Sequence, residues 1–139
     1  MVGGRDFTGT ISTFEDLDVY RKLVELHLEV SELTMSFPKY EMYELGSQVR
    51  RSSNSIAANI AEGWNNKHST MYLEGINRAL GEMRETRHHI KMASRKGHLT
   101  KDVAEGLLNR YDECGRMLRG LEQSLEKSIE SGRSRSKTR

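Results

Sequence analysis

Between Phe14 and Leu125 the apolar residues of this 139-residue chain recur every three or four positions, and Pro38 is its one proline. That spacing follows the 3.6-residue turn of a helix, not the two-residue alternation of a strand. The 12 glycines are scattered with no collagen-like period. Aromatics are only 6% of the residues, which argues further against a β-sandwich or barrel. The apolar fraction is 35% and the charged fraction 30%, enough for one modest core but not two. No run approaches the roughly 18 apolar residues of a membrane span. Met1 to Thr13 lacks the apolar stretch of a signal peptide. The lone Cys114 can form neither an internal disulfide nor a Cys-rich zinc site. These features fit a reducing, cytoplasmic setting away from membranes.

The first predicted helix runs from Phe14 to Phe37, with Thr13 as N-cap and Asp16 at the capping-box spacing. It carries two apolar rows. One is Leu17, Tyr20, Val24, His27 and Leu28; the other is Val19, Leu23, Leu26, Val30, Leu33 and Phe37. Two rows are wider than one amphipathic helix needs. Either the helix is central, or one row packs on another subunit. Pro38 ends it by pushing Phe37 out of helical backbone.

A second helix is predicted over about 41–65, with many small inner residues, among them Ser52, Ser53, Ala57 and Ala61. Small residues let a neighbouring helix come close. Gly63 falls where a left-handed terminal residue is cheapest, and a loop is expected over about 64–68. The third helix covers about 69–96 and stops at Gly97. Thr100 caps the fourth. Its seam is Ala104, Leu107, Tyr111, Cys114, Leu118, Leu121 and Leu125, spaced as a and d positions. Short loops predict an all-α fold: an antiparallel up-down-up-down four-helix bundle over residues 14–130. Residues 1–13 read as an N-terminal arm. Residues 131–139, with no apolar side chain, read as a basic disordered tail.

The motifs Phe14 to Leu17, Phe37-Pro38, Ser47 to Arg51, Ser55-Ile56 and Asn59 to Gly63 stand in an order that resembles the 23S rRNA intervening-sequence (S23) proteins. The resemblance covers about 14–125. It implies a four-helix bundle assembling as a ring-like homopentamer. It also implies kinship with the accessory variability determinant of diversity-generating retroelements, which partners a reverse transcriptase and binds nucleic acid through a basic surface.

Charge is distributed unevenly. Residues 1–49 hold 4 Lys/Arg and 9 Asp/Glu, whereas 50–139 hold 18 and 11. On the third helix Arg84, His88, Lys91 and Arg95 fall at i, i+4, i+7 and i+11, one stripe about 16 Å long at about 1.5 Å per residue. Arg87 lies beside it, and Lys96, His98 and Lys101 extend the charge around the helix end. Like charges so spaced repel. A polyanion such as RNA or DNA would neutralise them; solvent, or the acidic first helix of a neighbouring copy, would serve as well. Arg133, Arg135 and Lys137 in the tail can add phosphate contacts, or simply keep the tail soluble. Arg50 and Arg51 sit inside the family motif with Asn59 and Glu62, which points instead to a structural polar network. The expected function is a noncatalytic nucleic-acid-binding accessory to a retroelement reverse transcriptase. The alternative is a structural homo-oligomer that binds only a protein partner.

Catalysis finds no motif. There is no glycine-rich phosphate loop and no G-x-S-x-G elbow. His88 and His89 are adjacent and point about 100° apart, so one helix-borne metal cannot take both. No enzyme activity, cofactor or metal is expected. His27 is read as a hydrogen-bonded core or interface residue, Cys114 as a buried apolar filler, and Trp64 as an anchor for the turn after the second helix or a subunit contact, in preference to a base-stacking platform.

Overall fold

The computed structural model describes residues 11–64 and 69–137. A 3-10 turn, Phe14–Asp16, leads into α1 (Asp18–Thr34), α2 (Lys39–Met42), α3 (Leu45–Gly63), α4 (Ser69–Arg95) and α5 (Lys101–Lys137). The four long helices form an all-α four-helix bundle. α1 and α4 each pack against both α3 and α5, so they stand across the bundle from one another. The α3–α4 contact is the most extensive and α1–α5 the least.

The chain start differs from its predicted form. Thr13 does cap, but it caps the 3-10 turn. The buried Asp16 carboxylate folds back to accept the N–H groups of Ser12 and Thr13, at 2.6 and 2.9 Å. Leu17 is then extended (φ −71°, ψ 125°) and drops into the core, so α1 begins only at Asp18. At the other end α1 stops at Thr34, three residues before the predicted Phe37. Phe37 instead buries itself against Leu45 and Ala93. The predicted second helix is split, because α2 is a separate short turn and α3 starts at Leu45.

The inner row of α1 is the buried one: Val19, Leu23, Leu26 and Val30 pack with Val49, Ile56, Ile60, Ile76, Ile90 and Leu118. The predicted α5 seam is buried from Ala104 to Leu118, and Leu121 and Leu125 are half-buried beyond it. Burying side chains of this size contributes about 1.5–3 kcal/mol each.

Small residues do bring α3 close to α4, but Gly63 works differently from its predicted left-handed role. It is the last residue of α3 and packs against Gly75 of α4. Gly97, at φ +80°, is the left-handed glycine. It closes α4 in a Schellman motif, with His98 N–H donating to the Ala93 carbonyl (2.8 Å) and Gly97 N–H to that of Ser94 (3.0 Å). Thr100 Oγ1 accepts the Val103 N–H at 3.2 Å, as a cap should.

α5 runs on to Lys137, past the boundary set at Ser131. Arg and Lys are good helix formers, and only Gly132 in that stretch opposes helix. Residues 1–10 of the arm, the loop at 65–68, and the side chains of Arg133, Arg135 and Lys137 lie outside what is described.

Candidate interaction surfaces

The two motif arginines have structural roles. Arg50 leaves α3 and donates to Thr34 Oγ1 (2.7 Å) and to the Met42 carbonyl (2.9 Å). It thereby ties the end of α1 to α2. Arg51 reaches α4, donating to Glu85 Oε2 at 2.5 Å and pairing with Glu82 at 3.5 Å. The Arg51 guanidinium holds the Glu85 carboxyl below its ordinary range, whereas burial pushes Glu82 up. Asn59 donates to the Ser55 carbonyl of its own helix, 2.8 Å. Glu62 is exposed and joins neither arginine. Among the described residues Arg50 and Arg51 thus reach other helices, while Asn59 bonds within its own.

The stripe predicted on the third helix lies on α4 and divides into two groups. Arg84, His88, Lys91 and Arg95 are exposed. Among the described residues none of the four has a carboxylate partner. Arg87 and Lys96 are engaged: Arg87 pairs with Asp112 of α5, and Lys96 donates to Glu41 Oε2 at 3.0 Å. Lys101 is exposed at the first position of α5.

Glu41 is a residue that sequence reasoning missed. It is 4% exposed. Its Oε2 receives both Lys96 Nζ and, at 2.9 Å, His98 Nε2. Lys96 foremost, then His98, holds its carboxyl below the usual range. His98 also packs at a tilt against Phe37, with ring centroids 5.4 Å apart. The partner of His98 is 57 residues away in sequence, so no local spacing could have revealed it.

The outer row of α1 stays partly open. Tyr20, Val24 and His27 are half-buried, and Leu28 is 61% exposed. His27 Nδ1 lies 2.7 Å from Ser53 Oγ, and burial lowers its pKa from 6.5. Met35 follows Leu28 by two turns and is equally exposed; Tyr40 and Tyr43 are about 70% exposed. Beside this row a groove of about 610 Å³ opens between α1 and α5. Its floor is Leu33, Val103 and Leu107, and its carboxylates are Glu29, Glu32 and Asp102. Among the described residues Arg110 is the only cation lining it, and it pairs with Glu29.

Trp64 packs edge-on against Tyr72, centroids 5.1 Å apart, which anchors the end of α3 as expected. Cys114 is a buried free thiol. Among the described residues no group of three or more His, Cys, Asp or Glu could hold a metal ion. No described helix is long and apolar enough to cross a membrane.

These features define an all-α four-helix-bundle protein. Residues 15–120 match the family described as 23S rRNA-intervening sequence protein, and the chain belongs to that family. It is similar to a crystal structure from Bacteroides thetaiotaomicron VPI-5482, described as a protein with unknown function from the S23 ribosomal protein family. The two share 25% identity over 75% of this chain and 97% of that one, with a TM-score of 0.65. A comparison with curated proteins finds no match.

Proposed function

We propose that the protein is a noncatalytic cytoplasmic scaffold. It assembles with copies of itself and presents the assembly to a protein partner. The open apolar residues of α1 and of the segment that follows it through α2 carry this reading. A chain that is 35% apolar has little hydrophobic surface to leave outside, yet Leu28, Met35, Tyr40 and Tyr43 all lie open within sixteen residues of one another. Such a cluster marks a contact surface, and covering it contributes about 25 cal/mol per Å² of apolar area. The bundle in this reading is antiparallel and up-down-up-down. In support, paired positions run in opposite senses: His27 with Ser53 but Thr34 with Arg50, and Lys22 with Glu113 but Glu29 with Arg110. The family resemblance supplies the expectation of a ring-like homopentamer. Light scattering tests the reading. The wild type should run as an oligomer, and Leu28→Glu with Met35→Glu should lower its mass while leaving its helical circular dichroism intact.

One observation favours a second reading, the nucleic-acid accessory to a reverse transcriptase. Arg84, His88, Lys91 and Arg95 stand exposed with no carboxylate partner among the described residues. Fluorescence anisotropy of labelled RNA and of single- and double-stranded DNA tests it. A phosphate-tracking surface binds with an affinity that falls linearly in log salt. No binding at low salt would leave the scaffold reading alone.

A further inference from the structure

We infer that the acidic edge of α1 and its groove receive the basic stripe of α4 from a second copy of the chain. The inference rests on the self-assembly reading and names the faces that meet. The two charge ladders share one spacing. Arg84, His88, Lys91 and Arg95 step by four, three and four residues. Glu25, Glu29 and Glu32 step by four and three; the next step of four reaches Ser36, which lines the groove together with Asp102. The basic row spans eleven residues and the three carboxylates seven, and the two share the same four-then-three step. Each is costly by itself, because like charges at i, i+4 repel by a few tenths of a kcal/mol.

The fold keeps the ladders apart within one molecule. α1 and α4 stand across the bundle, each separated from the other by α3 and α5. A single copy therefore cannot bring its own stripe to its own groove. Arg110 offsets one carboxylate of the groove by pairing with Glu29. Glu32 and Asp102 remain exposed at its rim. The exposed Val103 and half-buried Leu33 give the groove apolar floor against which the aliphatic stems of Lys91 and Arg95 can lie. The two faces differ, so the contact is heterologous. A heterologous contact closes into a ring when its rotation divides the circle, and otherwise runs on as a filament. Charge complementarity of this kind fixes register and excludes wrong pairings.

A charge swap tests the pairing in the full-length protein. One variant carries Glu32→Lys and Asp102→Lys, a second Lys91→Glu and Arg95→Glu, and a third all four. All four sites are exposed, and circular dichroism checks each fold. Light scattering across a dilution series reads the mass. Each two-site variant should dissociate at a concentration roughly tenfold or more above the wild type, and the four-site variant should recover most of that loss. An oligomeric wild type whose mass ignores every reversal would overturn this inference and leave self-assembly standing. So would a Lys91→Glu, Arg95→Glu variant that keeps its mass but loses RNA binding. A monomeric wild type would overturn both.

Discussion

Gly63 and Gly75 face each other across the α3–α4 crossing. A Cβ on Gly63 would lie 2.9 Å from the Gly75 Cα, and one on Gly75 would lie 2.6 Å from the Asn59 carbonyl oxygen. Both obstacles are backbone, which cannot swing aside as a side-chain end can. Gly75→Ala should therefore destabilise the bundle by about 1–3 kcal/mol, as overpacked cores do. Gly106 and Gly120 meet nothing within 4 Å. Alanine at either should be neutral or stabilising by up to about 1 kcal/mol. Thermal unfolding of the three variants checks this, and equal midpoints would contradict the close crossing.

Arg50 joins three segments through two hydrogen bonds, and truncation leaves two partly buried acceptors without a donor. Arg50→Ala should cost about 1–3 kcal/mol. Arg50→Lys should recover only part of it, because an ammonium cannot reproduce the forked guanidinium. Urea unfolding measures both. A fully stable Arg50→Lys protein would show that charge matters at this site and geometry does not.

Glu41 gives stability a pH dependence of known sign. Its folded pKa lies below the ordinary value of 4.5, because Lys96 and His98 donate to the carboxylate. The group therefore stabilises the fold above about pH 4.5 and loses that contribution as pH falls through the lowered folded value. Glu41→Gln should lower stability at neutral pH and flatten its decline between about pH 5 and pH 3. Unfolding midpoints measured across that range would refute this if the two proteins stayed parallel.

Cys114 should be chemically silent in the folded state. Burial in the α5 seam pushes its thiol up to about 11, and the thiolate is the reactive form. Labelling with a thiol reagent at pH 8 should be slow in the native protein and fast once urea unfolds it. Fast native labelling would mean that the seam opens around Leu118 and Leu107.

Periodicity made the helices, the α5 seam and the inner row of α1 legible, because those depend on which side of a helix each residue takes. It also showed that α1 has a second apolar row, and the open Leu28 shows why two rows were not needed for one core. What was not legible depends on contacts between distant residues. The Asp16 turn that delays α1, the meeting of Gly63 with Gly75, and the pairing of His98 with Glu41 leave no mark on local spacing. The basic stripe was visible as a row of charges. Only packing could show that, among the described residues, Arg87 and Lys96 have carboxylate partners while Arg84, His88, Lys91 and Arg95 do not. The groove was invisible for the same reason, since Glu32 and Asp102 are 70 residues apart in sequence.

The most direct test of the scaffold reading is the mass of the untagged wild-type protein by light scattering at near-physiological salt and tens of micromolar concentration. The expected result is a closed oligomer, five chains of 15.9 kDa each. A single 15.9-kDa species across that range would contradict self-assembly and leave the exposed face of α1 to a different protein.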